Sequence, residues 1–487
     1  ALASGSMRPI TVLATGVVVL VGVLFLFDSH LLSERCDQRV VALTADQERA
    51  AKHIKELQQA LSQSAETLEA MRKRPSASTL HRQLQDEVAR GHRRGRETAT
   101  AVNSPPPSPP PPPIEVEQPA ASVQRAVATG DPSLLSPSRI AVVVIAYNRP
   151  QYLDRALKSI FAHHPGSGFP VYVSQDGENG EVARVAEKHG ARRLVHPRKA
   201  LKFKAGTYIA KFPGYSYLAV HYGWALGTLF DDAERFEGVI ILEEDIEVAP
   251  DFFNYFTATA PLLYQDDSLL CVSAFNDNGQ QKFASDPTAL YRSDFFPGLG
   301  WLISRRLWSE LGPKWPGEAG FWDDWLREPP QRRGRASIRP EVSRTYTFGE
   351  KGTSQGQFSK FLRDIRLGSG SSFDAAADTR YLLKPAYDEA FRRTVDAAVS
   401  IPFEQLLRGG PGGDSTADVR VSYNNAKEYV SMCKRLGVME DLKAGVPRTG
   451  YQGVVTLRMG GRRVFLAPSY PLLDVPNGKI VKDGAKV

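Results

Sequence analysis

The sequence predicts an α/β fold with a parallel sheet, and two observations carry this prediction. From residue 140 onward, short apolar runs rich in β-branched residues alternate with helical segments. Polar or acidic residues follow several of these runs directly. The chain has 487 residues but only three cysteines, so the fold must depend on a hydrophobic core rather than on disulfides. The net charge of +7 is modest for this length and does not indicate a nucleic-acid partner.

Four runs predict strands of this sheet: residues 140–146, 170–174, 193–195 and 238–242. The first (IAVVVIA) is continuously apolar, which is typical of a strand buried on both faces. Helical segments lie between the strands, so the crossovers should be right-handed. Ligands of such sheets bind outside the carboxyl ends of the strands. Because Arg149, Asp176 and the acidic residues 243–245 all follow strand ends, we expect them to share one crevice.

The acidic run Glu243-Glu244-Asp245 is the most informative local feature. Three adjacent carboxylates at the end of a buried strand repel each other unless a cation is present. Their oxygen atoms suit Mg²⁺ or Mn²⁺, which proteins often hold together with substrate phosphates. The chain has no P-loop and no GxGxxG after the first strand, which argues against a P-loop NTPase or a dehydrogenase. A nucleotide-sugar site is one interpretation, and a solvated acidic loop is the other.

A second group of interest is Phe321-Trp322-Asp323-Asp324-Trp325. Paired carboxylates among aromatic residues are typical of a general-base site, and aromatic rings also form platforms for sugars. The alternative is a buried tryptophan pair with an aspartate capping a helix that starts near Trp325. The nearby run 295–301 (FFPGLGW) predicts either a tight turn or a loop whose glycines admit a ligand.

The first third of the chain differs in composition. Residues 10–27 are apolar and uncharged, and a helix of this length would span about 27 Å, close to the thickness of a bilayer core. Arg8 before this run favours a cytoplasmic segment 1–9 and a membrane anchor, with a cleaved signal peptide as the alternative. Apolar residues between 40 and 74 recur in heptad steps, so residues 28–74 predict a coiled-coil stem and a homo-oligomer, or else a single amphipathic helix.

Residues 75–137 lose this periodicity and contain basic clusters and a proline run at 105–113. A proline-rich run is a semi-rigid spacer, so we predict a disordered linker rather than a nucleic-acid-binding segment. Residues 138–355 are predicted to form the catalytic domain and residues 356–487 its extension. Within the extension, GVVTLRMGGRRVFLA predicts a hairpin with Gly460-Gly461 at its turn, and therefore a small β-containing unit.

Eight segments from about residue 140 to 470 resemble the N-acetylglucosaminyltransferase I family. They are VSQD (173–176), HYGWALG (221–227), LEEDIEVAPDFFNYF (242–256), CVSAFNDNG (271–279), YRSDFFPGLGW (291–301), FWDDW (321–325), IRPEVSRTYTFGEKGTSQGQF (338–358) and GVPRTGYQGVVT (445–456). The resemblance covers roughly two-thirds of the chain. It implies a GT-A type fold with a Rossmann-like sheet.

The activity implied by this resemblance is inverting transfer of GlcNAc from UDP-GlcNAc, with Mn²⁺, to the 2-hydroxyl of the α-1,3-linked mannose of a five-mannose N-glycan. This step initiates hybrid and complex N-glycans. The resemblance also implies a type II membrane protein of the Golgi. Its catalytic domain would lie in the lumen, and its acceptors would be glycoproteins. The predicted anchor and stem match that layout.

The resemblance also assigns roles at the two acidic motifs. Asp245 would be the direct metal ligand and Glu243 would contact the sugar. The middle position would meet the ribose, and there Glu244 departs from the aspartate of the family pattern. Asp323 matches the catalytic base, and Trp322 would form a wall beside the sugar.

Four further positions match donor-binding residues of the family. Arg149 and Asp176 lie at the ends of predicted strands, with Asp176 reaching the uracil. His221 matches a second uracil contact, although its sequence context alone would favour a core histidine. Ser354 matches a position in a loop that closes over the donor.

Cysteines are a second departure from the family. Animal members carry paired cysteines at positions that here are Tyr147, Gly177 and Ser337, and only Cys271 is kept. Both bridges should therefore be absent. Whether Cys36 links two stems is left open.

Three rival functions remain. The related enzyme that adds GlcNAc to protein O-mannose would have an extra N-terminal carbohydrate-binding domain, for which the stem leaves no room. A metal-dependent phosphodiesterase would require further His or Asp ligands for a second ion. A non-catalytic Golgi glycan-binding protein is disfavoured because Asp245 and Asp323 are both present.

Overall fold

The computed structural model describes residues 135–232, 235–349, 352, 356, 358–370, 373–410, 416–471 and 478–480. All of them belong to one compact unit that spans residues 115–487. The predicted anchor and stem, and the linker up to residue 134, lie outside the described residues. Within the described part of the chain, no helix is both long enough and apolar enough to cross a membrane.

The described residues form strands and helices in alternating order. The strands are β1 Ile140–Ala146, β2 Val171–Asp176, β3 Arg192–His196, β4 Gly238–Glu243, β5 Ile246–Val248, β6 Leu269–Ser273, β7 Leu290–Ser293, β8 Trp301–Ser304, β9 Ala336–Pro340, β10 Thr345–Thr347, β11 Val399–Ser400, β12 Val419–Tyr423, β13 Leu442–Lys443, β14 Val446–Pro447, β15 Val455–Met459 and β16 Arg462–Pro468. The α-helices are α1 Pro150–His163, α2 Gly180–Lys188, α3 Tyr208–Lys211, α4 Pro213–Asp231, α5 Phe252–Thr259, α6 Leu262–Gln265, α7 Arg305–Leu311, α8 Trp322–Arg327, α9 Pro329–Arg332, α10 Ser359–Leu362, α11 Lys384–Ala397, α12 Phe403–Leu407 and α13 Ala426–Leu436.

The main sheet has the order β3-β2-β1-β4-β8-β6-β9-β7. Strands β3, β2, β1 and β4 are parallel to each other, as the sequence predicts. The other half of the sheet is not parallel throughout, because β8 is antiparallel to β4 and to β6, and β7 is antiparallel to β9. The fold is therefore mixed α/β with one large central sheet, flanked by helices on both faces.

Strand β1 lies between β2 and β4 and is buried along its whole length. Its alternate residues face two different cores. Ile140, Val142 and Val144 pack with helix α1, whereas Ala141 and Val143 pack with helix α4. The continuous apolar run of the sequence is thus explained by burial on both faces of the sheet.

The predicted strands are confirmed, with small changes at their ends. Strand β1 has the predicted bounds, and β2 extends to Asp176 itself, so this side chain stands on the last residue of the strand. Pro150 occupies the first position of helix α1, where its missing N–H costs no hydrogen bond. The helix therefore starts immediately after Arg149.

The C-terminal part contains a second sheet of order β11-β12-β16-β15 with its own apolar core. Strands β15 and β16 form the predicted hairpin, in which Met459 pairs with Arg462. Gly460 and Gly461 both adopt positive φ at its turn, at 58° and 81°. This is the geometry that a two-residue hairpin loop requires, so the hairpin prediction is confirmed.

Candidate active site

A cavity of about 1050 Å³ opens at the carboxyl ends of β1, β2 and β4. Its lining includes every described residue that the sequence predicted for the site: Arg149, Asp176, His221, Glu243, Glu244, Asp245, Trp322 and Asp323. Ser354 lies outside the described residues, but Gly352 and Gly356 on either side of it line the cavity. The expectation of a shared crevice is therefore confirmed for the strand-terminal residues.

The Glu244 carboxylate is hydrogen-bonded to two residues that closely follow β1. One of its carboxylate oxygens accepts a hydrogen bond from the Tyr147 backbone N–H at 2.9 Å, and the other accepts from Arg149 Nε at 2.7 Å. Glu244 is almost fully buried, at 4% exposed. Both of its oxygens are thus engaged within the protein, where they fix Arg149 beside the acidic run. The predicted ribose contact of Glu244 remains a prediction.

Asp245 occupies the tightest corner of the site. Its carboxylate lies 3.1 Å from Arg149 Nη2, and its backbone carbonyl accepts a hydrogen bond from the Phe348 N–H. A Cβ at Gly349 would overlap Asp245 Oδ2, so a larger residue at this position would displace the Asp245 carboxylate. Strand β5, which follows Asp245, pairs with strand β10, which precedes Phe348 and Gly349. This pairing holds Gly349 close to Asp245.

Glu243 is the last residue of β4 and accepts a hydrogen bond from the Tyr222 hydroxyl at 2.8 Å. Burial raises the pKa of Glu243 to about 7, and the charge of Asp245 adds to the rise. The corner holds three carboxylates, and Arg149 pairs with two of them, Glu244 and Asp245.

A divalent cation fits this corner as an ion shared with a substrate. Among the described residues, no group of three or more His, Cys, Asp or Glu could enclose a metal ion. However, Mg²⁺ and Mn²⁺ are commonly held by one or two carboxylates together with phosphate oxygens. Asp245 meets that requirement, since it lines the cavity within a region of excess negative charge.

The cavity wall at the ends of β2 and β3 contains a buried carboxylate between two nitrogen donors. His196 Nδ1 lies 2.6 Å from Asp176 Oδ1, and Arg198 donates to Asp176 Oδ2. The Arg198 guanidinium lies between two aromatic rings, 4.3 Å from that of Tyr147 and 3.9 Å from that of Tyr217. These stacked contacts fix the cation and, through it, the orientation of Asp176.

His221 stands on helix α4 and lies behind this carboxylate. Its Nε2 lies 2.8 Å from Ser174 Oγ, and its ring stacks on His196 with centroids 5.3 Å apart. Burial lowers the pKa of His221 to about 3, and the nearby His196 and Arg198 contribute to the decrease. This histidine is therefore neutral at physiological pH.

Asp323 and Asp324 lie in the first turn of helix α8. The N-cap of this helix is Phe321, and no side chain caps it, so the alternative of an aspartate cap is wrong, as is a helix start near Trp325. Arg327 Nη1 donates to Asp323 at 2.7 Å and to Asp324 at 2.9 Å. Asp323 lines the cavity, whereas Asp324 does not.

Asp324 is bound to the C-terminal part of the chain. Lys443 Nζ donates to Asp324 Oδ2 at 2.9 Å. Burial alone would raise the pKa of Asp324, but the Lys443 hydrogen bond and the charge of Arg327 outweigh it and hold that pKa below its ordinary value. The two aspartates thus share Arg327, but Asp324 also binds Lys443, and of the two only Asp323 lines the cavity.

Trp322 forms the floor of the cavity beside Asp323. Its ring stacks on Tyr222 at 4.5 Å and on Trp301 and Trp315 at 5.8 Å each. Trp322 is only 6% exposed, so most of its ring packs in the core. The buried-tryptophan interpretation is therefore correct for most of this side chain, and the remaining edge faces the cavity.

The loop before β8 belongs to the cavity and also makes a tight turn. Gly298, Leu299 and Gly300 all have positive φ, and the first two line the cavity. A Cβ at Gly300 would lie 2.6 Å from Thr345 Cγ2 on β10. The tight-turn interpretation is therefore confirmed, and the turn brings its backbone to the cavity. That its glycines admit a ligand remains a prediction.

The described cysteines are free thiols. Cys271 and Cys433 are both buried, and Cys271 Sγ donates to Ser337 Oγ at 3.3 Å across neighbouring strands. Burial raises the pKa of Cys271 to about 12. Ser337, one of the positions at which animal members of the family carry a cysteine, thus lies opposite Cys271 in the sheet.

Among the side chains of the site that sequence patterns missed are Arg198, Tyr222 and Arg327. Arg198 follows a strand end, like Arg149, and this could have identified it. Tyr222 and Arg327 lie on helices whose sequence does not mark them, since their importance comes from contacts with Glu243 and Asp323 in three dimensions.

The site combines a mixed sheet, an acidic motif at a strand end and a large cavity that holds a separate carboxylate, and comparison with known proteins identifies its class as a glycosyltransferase. The chain belongs to the GNT-I family, which it matches over residues 118–475. It is 42% identical over 334 residues to the alpha-1,3-mannosyl-glycoprotein 2-beta-N-acetylglucosaminyltransferase of Arabidopsis thaliana, and the match covers 67% of this chain and 73% of the relative.

Among solved structures the similarity is more distant. S. aureus TarS 1–349 in complex with UDP-GlcNAc is 14% identical, with a TM-score of 0.31, and the match covers 46% of this chain and 65% of TarS. Glucosyl-3-phosphoglycerate synthase from Mycobacterium tuberculosis, solved with Mn²⁺, UDP and glucosyl-3-phosphoglycerate, is 15% identical, with a TM-score of 0.29 and coverages of 48% and 81%. At these values neither structure bears on the chemistry of this chain.

Proposed function

We propose that this chain transfers GlcNAc from UDP-GlcNAc to the 2-hydroxyl of the α-1,3-linked mannose of a five-mannose N-glycan. The observation that carries the proposal is the 42% identity to a relative named for this linkage, over most of the length of both chains. The site supports it, because the residues expected for donor, metal and base line a single cavity. The product would be the first intermediate of hybrid and complex N-glycans.

Asp323 would act as the general base. Inversion in one displacement requires a base that removes the proton from the acceptor hydroxyl while that oxygen attacks the anomeric carbon. Asp323 is accessible from the cavity, and Arg327 holds its carboxylate in place. Arg327 in turn donates through Nε to the Phe296 carbonyl at 3.1 Å, so the base is positioned by a buried and tethered cation.

Asp245 would hold a divalent cation, proposed to be Mn²⁺, whose charge would stabilise the leaving diphosphate. Arg149 adds a second positive charge beside it. Asp176 would accept a hydrogen bond from the N–H of the uracil. His221 lies behind the Asp176 carboxylate and Arg198 beside it. Glu243 and the edge of Trp322 would contact the sugar, and Ser354 would act from the segment that follows Gly349.

The proposal is tested by incubating the full-length protein with UDP-GlcNAc, Mn²⁺ and two acceptors, a five-mannose N-glycan and an O-mannosyl peptide. We expect a single added GlcNAc on the glycan and none on the peptide. Transfer to the peptide alone would support the O-mannose enzyme instead. Binding of the glycan without any product would support the non-catalytic protein.

The metal role is tested with Asp245→Ala. We expect this variant to lose the Mn²⁺-dependent part of UDP-GlcNAc affinity, at least tenfold, as measured by calorimetry with and without metal. Asp267→Ala is a matched control, because the Asp267 side chain is 90% exposed and does not line the cavity. Equal metal dependence in the Asp245 variant and the unaltered protein would refute the assignment.

We also propose a Golgi membrane location, with residues 10–27 as a single type II anchor, a lumenal catalytic domain and a possible homo-oligomer through the stem. The apolar run at 10–27 and the heptad pattern support this. Protease protection in sealed Golgi vesicles tests it: the catalytic domain should be protected until detergent is added. Cleavage without detergent would contradict the orientation.

A further inference from the structure

An aromatic row leads from the cavity to the protein surface next to the predicted base. The Tyr215 ring lines the cavity and stacks on Phe321 with centroids 4.4 Å apart and an angle of 27°. Phe321 stacks in turn on Tyr208 at 5.7 Å and 29°. Tyr208 is 67% exposed and is the most exposed large hydrophobic side chain among the described residues. We call these three residues the aromatic row.

The backbone at the centre of the row is strained. Phe321 has a φ of 46°, in the left-handed region that bulky residues rarely adopt. This conformation directs the chain so that Phe321 joins the row while the next residue, Trp322, enters the core. Strain of this kind persists only where the surrounding structure enforces it, and it concentrates at functional sites.

The surroundings of the row enforce this geometry. A Cβ at Gly320 would lie 2.8 Å from Ile209 Cδ1 and 3.1 Å from the Ser216 nitrogen, so the turn before Phe321 lies directly against helices α3 and α4. Ser216 Oγ donates to the Glu318 carbonyl at 2.6 Å and holds this contact. The row is therefore a built feature rather than a chance cluster of exposed rings.

The row ends at the predicted base. Asp323 is two residues from Phe321, and both Tyr215 and Asp323 line the cavity. A ligand that presents a hydroxyl to Asp323 would have its remainder directed along the row.

We infer that the aromatic row binds an arm of the acceptor oligosaccharide that lies beyond the reacting mannose. Sugar rings present flat C–H faces that pack on exposed aromatic rings, and Tyr208, at 67% exposed, offers such a surface at the outer end of the row. The inference rests on the proposed function, because it assigns the row to the acceptor of that reaction. Continuity with the cavity favours a glycan over an unrelated apolar partner.

The test compares two acceptors, the five-mannose N-glycan and an α-1,3-linked mannose disaccharide that is too short to reach Tyr208. Tyr208→Ala should raise KM for the five-mannose glycan about tenfold, with kcat retained. KM for the disaccharide and for UDP-GlcNAc should not change. Tyr208→Phe keeps the ring and should behave as the unaltered protein.

Tyr381→Ala is the matched control, because Tyr381 is also exposed, at 47%, and does not line the cavity. An unchanged KM for the glycan in Tyr208→Ala would overturn the inference, as would an equal increase for both acceptors. A lower melting temperature with unchanged KM would also overturn it, since the row would then be structural only.

Failure of the proposed function would be visible separately, as a lack of transfer by the unaltered protein. In that case calorimetry with the five-mannose glycan in the presence of UDP still decides the matter. Weaker binding in Tyr208→Ala than in Tyr381→Ala would support the row as a glycan site, and equal binding would refute it.

Discussion

Asp323 and Asp324 are adjacent in sequence but differ in what they contact, and this difference makes a prediction at the scale of single residues. Asp323→Asn should retain UDP-GlcNAc binding but lower kcat by about 10²–10⁴-fold, since the amide cannot accept the acceptor proton. Asp324→Asn is the control. It loses part of its ion pair with Lys443 but should retain turnover, because Asp324 does not line the cavity. Retained turnover in Asp323→Asn would remove it as the base.

The burial of His221 predicts how the free energy of unfolding depends on pH. Burial lowers its pKa to about 3 in the folded protein, against 6.5 for an ordinary histidine. Between these values the unfolded chain binds a proton that the folded chain does not, so the free energy of unfolding falls as pH decreases from 6.5. The loss is about 1.4 kcal/mol per pH unit.

Chemical denaturation of the unaltered protein and of His221→Gln between pH 6.5 and pH 4 measures this effect. The variant should lose less stability over the interval, because its side chain does not titrate. Parallel curves for the two proteins would show that His221 is not held neutral.

For single residues, the sequence predicts the site residues at strand ends well and the site residues on helices poorly. Arg149, Asp176 and Asp245 could be predicted, because the carboxyl ends of parallel strands meet at one edge. Tyr222 and Arg327 could not, since their roles depend on distances to Glu243 and Asp323 that only the folded chain sets.

At the scale of elements, the loop before β8 packs against strand β10, and both line the site. Thr345 Oγ1 donates to the Leu299 carbonyl at 2.7 Å, and a Cβ at Gly300 would collide with the Thr345 methyl group. Gly300→Ala should therefore destabilise the protein by about 1–3 kcal/mol and weaken donor binding, because β10 leads into the segment that approaches Asp245.

Gly461→Ala is the control that tests the effect of a positive φ without a steric collision. Gly461 also has a positive φ, at 81°, but a Cβ there would meet nothing within 4 Å. Thermal unfolding should show a smaller loss for this variant, with donor affinity unchanged. Equal effects of both substitutions would contradict the argument.

Long apolar runs predict elements better than short ones do. Strand β1 has seven buried residues and its bounds follow directly from the sequence. Strands β7 and β8 have four residues each, and nothing in their local sequence shows that they run antiparallel to their neighbours. Their direction is set by the connections and by pairing with β9 and β4.

At the scale of the whole molecule, the described part of the chain should be stable without disulfides. Cys271 and Cys433 are free and buried. Adding reductant to the full-length protein should leave the melting temperature of the catalytic domain unchanged. A native bridge typically contributes about 2–5 kcal/mol, so a fall of several degrees would contradict this expectation.

The C-terminal part of the chain contributes directly to the site, which sequence patterns did not predict. Lys443 binds Asp324, and Arg448 Nη1 donates to Asp277 at 2.5 Å within the cavity lining. These pairs join residues more than one hundred positions apart. Ion pairs of this kind carry no local sequence signal, so only the three-dimensional structure identifies them.

The central claim is inverting transfer of GlcNAc to one hydroxyl of one mannose. The most direct measurement is NMR analysis of the product formed from UDP-GlcNAc and the five-mannose N-glycan by the full-length protein. The account predicts one GlcNAc in β linkage to the 2-hydroxyl of the α-1,3-linked mannose. An α linkage, attachment at another hydroxyl or the absence of product would contradict it.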